Sequence, residues 1–117
     1  MPVLKTISKE KVDKYIESMV DRITSKFSPV KIYLFGSYAT GDFEVDSDID
    51  LLIVVDARDS EKIKEMRRGI NKLLADREMP VDIIVISSEK MELRRDIPGT
   101  LPYICVREGE LLYEREG

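Results

Sequence analysis

The sequence contains no histidine and only one cysteine, Cys105. A single cysteine excludes an intramolecular disulfide, and the lack of histidine excludes a Cys–His nucleophile and the usual structural zinc sites. Any bound metal must therefore be held by oxygen ligands, which favours magnesium, manganese or calcium. Cys105 lies in the apolar stretch 101–106, and this setting predicts a small buried hydrophobe.

Two further absences concern membranes and nucleic acids. No apolar run approaches the roughly 20 residues of a spanning helix, and the stretch from Met1 to Glu10 lacks the apolar core of a signal peptide. The formal net charge is −4, so there is no excess of Lys and Arg with which to coat a nucleic acid or a membrane. We therefore expect a cytoplasmic protein with no membrane segment and no strong nucleic-acid binding.

The chain is 117 residues long and 43% of it is apolar, which suits one globular domain over residues 1–117. That length is small for an enzyme that binds two substrates. Either the second substrate is a large molecule with a surface of its own, or another subunit completes the site. We therefore expect a homo- or hetero-oligomer.

Helical and strand patterns alternate along the chain. The predicted helices cover 9–27 after the N-cap Ser8, one turn at 38–40 closed by Gly41, a helix capped by Ser60 that ends before Pro80, a helix from 87–89 to about 95, and one from Thr100 to about 108. The predicted strands cover 30–35, 49–55, 81–86 and 111–113, with 49–55 central and a polar loop at 42–47 before it. This order predicts an α/β (α+β) fold, in which helices pack on a small mixed sheet.

Two carboxylates, Asp48 and Asp50, stand at the start of the second predicted strand. Residues i and i+2 of a strand point to the same face, so the two like charges converge. That arrangement is unfavourable unless a cation lies between them. The alternative is that both are solvated turn residues, where Asp is common.

A third carboxylate, Asp82, interrupts the apolar strand 81–86. A buried acid without a partner is costly there. If this strand lies beside the one that carries Asp48 and Asp50, three acids meet and a two-metal site is plausible. The alternative is that Asp82 faces solvent or pairs with a nearby Lys or Arg.

Gly36 and Ser37 follow the first predicted strand. Glycine permits close backbone approach and unusual dihedral angles, and Ser37 would offer its hydroxyl and nearby N–H groups to an anion. The alternative is an ordinary strand-to-helix turn with Ser37 as N-cap. The Gly-Ser turn and the three acids, in this order and at this spacing, are more specific than any of them alone.

These motifs resemble those of the minimal nucleotidyltransferases, short members of the polymerase-beta-like nucleotidyltransferase superfamily that include the MntA-type antitoxins. The resemblance rests on GSYATG at 36–41, SDIDL at 47–51 and VDI at 81–83, and it extends from about residue 30 to 113. The gap between Ser37 and Asp48 is the length that the family uses. One departure is Thr40, where the family often has Arg.

The resemblance implies a nucleotidyltransferase fold and a role for each motif residue. Gly36 and Ser37 would hold the phosphates of a nucleoside triphosphate, which is ATP in the leading hypothesis. Asp48 and Asp50 would bind two Mg²⁺ ions, with Mn²⁺ as a possible substitute. Asp82 would bind the catalytic metal and help to deprotonate the acceptor.

The acceptor follows from the same resemblance. Small family members are often paired with a HEPN-domain toxin and act as its antitoxin, and some add AMP to a tyrosine of that partner. The leading hypothesis is therefore a protein adenylyltransferase antitoxin. Two alternatives stay open: an antitoxin that neutralises its partner by binding alone, for which Thr40 is the hint, and a homodimer that modifies a small molecule.

Overall fold

A computed structural model of the protein describes residues 9–42 and 47–116. In these residues the helices are α1 (Lys9–Phe27), α2 (Ser37–Thr40), α3 (Ser60–Leu73), α4 (Ser88–Arg94) and α5 (Leu101–Glu108), and the strands are β1 (Lys31–Phe35), β2 (Ile49–Val55), β3 (Val81–Ser87) and β4 (Glu110–Glu114). The predicted order of elements is confirmed. The predicted cap Ser8 and the middle of the predicted loop, 43–46, lie outside the described residues.

The four strands form one mixed sheet in the order β3-β2-β1-β4. β1 is antiparallel to both β2 and β4, whereas β2 and β3 run parallel and are joined through α3. The predicted α/β fold with a small mixed sheet is confirmed, and β2 is an interior strand as expected. The parallel pair matters most for function, because it brings the starts of β2 and β3 to the same end of the sheet.

Each face of the sheet carries its own hydrophobic core. One core joins α1 and α3 to alternate strand residues such as Ile32, Leu51 and Ile53. The other core joins Met91 of α4 and Cys105 of α5 to strand residues of the opposite alternation. Since β2 is apolar on both sides, all its residues except Asp50 are buried.

The structure confirms a predicted cap at Thr100, contradicts the one at Ser60, and places a cap at Ser87, where the sequence predicted only the start of a helix. Ser87 caps α4 by accepting from the Lys90 N–H, and Thr100 caps α5 by accepting from the Tyr103 N–H. The predicted cap Ser60 is wrong, because the side chain of Asp59 accepts from the Glu61 N–H and Ser60 is the first helical residue. Asp is as good an N-cap as Ser, so residue type could not decide between two adjacent candidates.

Two expectations about burial can be compared with the structure. Cys105 is 1% exposed, and burial raises the pKa of its thiol to about 12, so the prediction of a buried hydrophobe is confirmed. In the part of the chain that the structure describes, no helix is both long enough and apolar enough to cross a membrane.

Candidate active site

The three predicted acids lie at the same end of the sheet. The parallel register of β2 and β3 sets Asp50 directly beside Asp82. Asp48 immediately precedes β2, two residues before Asp50. Asp48 and Asp82 are exposed, whereas Asp50 is half-buried. The condition set by the sequence, that the strand of Asp82 should lie next to the strand of Asp50, is therefore met.

The electrostatics of the cluster centre on Asp50. Burial raises the pKa of its carboxyl group, and the negative charges of Asp82 and Asp48 raise it further. An ionised Asp50 is therefore disfavoured in the absence of positive charge. A cation held among the three acids would relieve this repulsion.

Gly36 forms the wall of the site opposite Asp50. Phe35, the last residue of β1, is the register partner of Asp50, and Gly36 follows it with φ +80°. A Cβ atom placed on Gly36 would overlap the Asp50 carboxylate at Oδ2. Two reasons favour glycine at this position. A side chain would strain a backbone with positive φ, and it would collide with the Asp50 carboxylate.

Ser37 is the first residue of α2 and is half-buried. The N-cap position belongs to Gly36, which makes no side-chain cap, so Ser37 is not the N-cap that the ordinary-turn alternative required. α2 is one turn long, and Gly41 closes it in the left-handed conformation with its N–H donated to the Ser37 carbonyl. Ser37, with its hydroxyl group, therefore directly follows Gly36, the residue that lies next to Asp50.

Tyr38 and Thr40 complete this turn. Tyr38 is buried in the core on the α1 side, where burial and, secondarily, Asp48 raise the pKa of its phenol. Its place in a turn directly after an apolar strand was the available signal. Thr40 is exposed, and its hydroxyl lies 3.4 Å from the Ser37 carbonyl oxygen and 3.3 Å from Asp42 Oδ2.

The donor chemistry fits a hard divalent cation. The three side chains offer only carboxylate oxygens, which magnesium and manganese prefer. Within residues 9–42 and 47–116, no three His, Cys, Asp or Glu side chains come close enough together to enclose a metal ion as they stand. Because Asp48 and Asp82 are exposed, their carboxylates can turn toward Asp50 once a cation compensates the repulsion.

Comparisons with known proteins agree with this geometry. The model of a family described as the nucleotidyltransferase domain matches residues 16–104. The chain belongs to this nucleotidyltransferase family, and the matched range contains all five predicted site residues. The predicted enzyme class, nucleotidyltransferase, is confirmed by this match.

The chain is also similar to individual proteins and solved structures. The chain is 35% identical over 103 residues, covering 86% of itself and 97% of the relative, to a Methanocaldococcus jannaschii protein provisionally named a protein adenylyltransferase. A Sulfolobus solfataricus protein, provisionally named a nucleotidyltransferase, shares the fold with a TM-score of 0.62 at 22% identity, covering 97% of this chain and 94% of that one. A toxin–antitoxin structure solved with AMP-PNP matches with a TM-score of 0.56 at 25% identity, covering 86% of this chain and 74% of that one.

Proposed function

We propose that the protein transfers AMP from ATP to a hydroxyl group of a protein acceptor, in a reaction that depends on Mg²⁺. The acceptor in this proposal is a tyrosine of a HEPN-domain toxin, and the protein acts as the antitoxin of that pair. The observation that carries the proposal is the pairing of Asp50 with Asp82 across β2 and β3, beside a glycine whose missing side chain leaves room for the Asp50 carboxylate.

The proposed reaction makes one bond and breaks one. The acceptor oxygen bonds to the α-phosphorus, the bond from that phosphorus to the bridging oxygen breaks, and pyrophosphate leaves. Gly36 and Ser37 hold the phosphate chain at the end of β1. A carboxylate oxygen of Asp82 receives the proton of the acceptor hydroxyl, which suits an exposed acid whose own position is held by the sheet.

The same acids would hold the metal. Asp48 and Asp50 would bind two divalent ions and Asp82 would bind the catalytic one, with Mg²⁺ as the expected metal and Mn²⁺ as a substitute. When bound, these ions would lower the pKa of the acceptor hydroxyl and neutralise the leaving pyrophosphate. The contribution of the protein is chiefly positioning and the arrangement of negative charge.

Two considerations support a protein as the acceptor. Asp48 and Asp82 are exposed, and three cavities of about 460, 470 and 360 Å³ in the described residues are all lined by other side chains. A large acceptor can reach such an open site and supply part of the binding surface itself. The name of the Methanocaldococcus relative and the toxin–antitoxin structure with AMP-PNP point the same way.

A transfer assay tests the proposal directly. The purified chain is incubated with Mg²⁺ and the HEPN-domain protein encoded beside it, using ATP labelled at either the α- or the γ-phosphate. We expect label on the HEPN protein from α-labelled ATP only, since γ-label would indicate a kinase. The variant Asp48→Ala/Asp50→Ala should lose at least about 100-fold in rate, because even outer-shell partners of a metal cost 10–100-fold.

A control variant for this assay removes two acidic side chains of α3, away from the candidate active site. Glu61→Ala/Glu65→Ala makes the same change in net charge on exposed positions of α3 and should label at the wild-type rate. The proposal fails if the HEPN protein is labelled equally by wild type and by the Asp48/Asp50 variant.

One observation favours a second candidate, neutralisation by binding alone. Thr40 carries no charge and its hydroxyl lies against Ser37 and Asp42, so this position supplies no cation for a triphosphate. Growth rescue separates the two candidates. If cells that express the toxin are protected equally by wild type and by Asp48→Ala/Asp50→Ala, binding suffices and transfer is dispensable.

A further inference from the structure

A groove of about 460 Å³ separates α1 from the edge strand β4, and no candidate active-site residue lines it. Its floor includes Ile16 of α1 and Leu34 of β1, which belong to the core on the α1 side. The wall on the strand side is formed by Leu111, Leu112 and Tyr113. The groove therefore lies on a face of the sheet, beside α1.

The α1 wall of this groove is acidic. Asp13, Glu17 and Asp21 all line it, and they recur every fourth residue along the helix. At about 1.5 Å of rise per residue, successive carboxylates are about 6 Å apart on one side of α1. Glu110 adds a fourth acid at the start of β4.

Most of this negative charge is not compensated within the described residues. Lys9 pairs with Asp13 at 3.1 Å, but Glu17, Asp21 and Glu110 form no ion pair with a described cation. Some acids outside the groove do pair, such as Asp56 with Arg115 and Asp76 with Arg22, whereas others, such as Glu65 and Glu89, form no ion pair with a described cation. What distinguishes the groove is that three acids without an ion pair to a described cation line one cavity.

The strand wall adds apolar surface to this charge. Leu112 and Tyr113 are half-buried and pack against the core on the α1 side. Leu111 borders the groove, but its register partner is Tyr33, which belongs to the core on the opposite face of the sheet. An occupant that fits the groove must therefore offer an apolar side to β4 and positive charge to α1.

We propose that the groove docks a basic amphipathic helix of a partner protein. A helix lying alongside α1 repeats its side chains every third or fourth residue, so Lys or Arg on one flank would match the spacing of the three acids. Its apolar side would cover Leu112 and Tyr113. The groove opens on the face of the sheet, which favours a helix over an extended segment added along the outer edge of β4.

The negative charge of the groove also disfavours a second copy of this chain, a nucleic acid or an anionic membrane as its occupant. A symmetric dimer through this groove would place the same patch of each copy against the other, acid facing acid. Nucleic acids and anionic membranes would be repelled for the same reason. This inference does not depend on nucleotidyl transfer, because no residue of the candidate active site takes part in it.

The charge requirement is tested by fluorescence anisotropy on the full chain in 150 mM salt. The probe is a labelled 14-residue peptide of equal Leu and Lys, ordered so that Leu recurs at helical spacing. We expect Glu17→Lys/Asp21→Lys to weaken binding by about tenfold or more, since two attractions become repulsions. Glu61→Lys/Glu65→Lys makes the same charge change at the same spacing on α3 and should stay within about twofold of wild type.

The apolar and helical requirements are tested with a second pair of variants and a second peptide. Leu112→Ser should weaken binding severalfold, whereas Leu111→Ser, at the neighbouring residue on the opposite face of β4, should not. A peptide of the same composition in strict Leu–Lys alternation favours a strand and should bind less tightly.

Each contrary result overturns the proposal in a different way. Equal loss in the two charge variants would mean general attraction between opposite charges. Equal affinity for the alternating peptide would indicate addition to the edge of β4. A dimer of the free chain that sediments as a monomer after Glu17→Lys/Asp21→Lys would make a second copy the occupant.

Discussion

The end of β1 can lie beside Asp50 because residue 36 is glycine and carries no Cβ atom. Gly36 and Asp50 approach so closely that a Cβ atom on Gly36 would overlap Asp50 Oδ2, and Gly36 also has φ +80°. Gly41, five residues later, has φ +90°, but a Cβ atom there would meet no atom within 4 Å. The two glycines therefore share a positive φ, but they differ in ψ, which is −156° at Gly36 and 2° at Gly41, and in their surroundings.

This difference gives a matched test at the residue scale. Gly41→Ala should lose about 1–2 kcal/mol of stability from its left-handed backbone. Gly36→Ala should lose about 1–3 kcal/mol, because its φ of 80° and ψ of −156° is a conformation that essentially only glycine adopts. Only Gly36→Ala should also displace Asp50, and a displacement of about 1 Å in an active site can cost on the order of 100-fold in rate. The transfer assay and urea denaturation measure the two effects. Equal rates for the two variants would contradict the role given to Gly36.

Cys105 provides a second prediction at this scale, through its pKa. Burial raises the thiol pKa from 9.0 to about 12, so the native thiol stays protonated and should not react with iodoacetamide at pH 8 until the chain is unfolded. A raised folded-state pKa for an acid means stability that is present below pH 9 and is lost as the pH rises toward 12.

Urea denaturation at pH 8 and pH 10.5 checks the sign of this effect. Other groups titrate in that range, so the comparison is with Cys105→Ala, which lacks the thiol. The stability advantage of wild type over Cys105→Ala should shrink at the higher pH. An advantage that grows with pH would contradict a buried, neutral thiol.

At the scale of elements, α3 matters because it connects β2 to β3. A parallel pair requires a crossover connection, and α3 supplies it on the α1 side of the sheet before the chain returns beside β2. The N-cap of α3 is Asp59, which accepts from the Glu61 N–H at 3.2 Å. The pairing of Asp50 with Asp82 therefore depends on a helix that contains neither residue.

Capping by Asp59 can be separated from capping by Ser60. Asp59→Ala should lower the free energy of unfolding by about 1 kcal/mol, the usual value of an N-cap. Ser60→Ala changes an exposed first-turn residue and should stay within about 0.5 kcal/mol of wild type. Chemical denaturation measures both, and the reverse ranking would restore Ser60 as the cap.

At the scale of the whole molecule, the site brings three like charges together in a protein that is already net negative at −4. That concentration of charge opposes folding until a cation binds. A ligand that binds only the folded state stabilises it by RT ln(1 + [L]/Kd), which is about 1.4 kcal/mol at ten times Kd.

Metal addition should therefore raise the melting temperature. For a chain of this size, that free energy corresponds to a shift of roughly 5 °C on adding Mg²⁺ or Mn²⁺ after EDTA treatment. Asp50→Asn should abolish the shift and should itself be more stable than wild type in EDTA, because the raised pKa shows that the Asp50 charge is disfavoured. Glu61→Ala/Glu65→Ala should keep the shift. A shift that survives in Asp50→Asn would place the metal elsewhere.

The elements were largely predictable because each is encoded locally. The predicted strand 49–55 matches β2 at both ends, and the helices predicted at 9–27 and after Thr100 match α1 and α5 within a residue. Errors came where two adjacent residues compete for one role, as Asp59 and Ser60 do. The sequence did not settle the burial of Tyr38, because its position after an apolar strand is only a local signal and its burial depends on the packing of the core on the α1 side.

By itself, the sequence determined the residue types of the candidate site and the chemistry open to them. Without histidine, and with its one cysteine in apolar surroundings, only oxygen ligands were left for a metal, and the spacing of Asp48 and Asp50 put two of them on one face. Tertiary structure alone decided that Asp82 stands beside Asp50 and that Gly36 faces the same carboxylate. Strand order and register are long-range properties, set by how two cores cover the sheet, and spacing along the chain does not contain them.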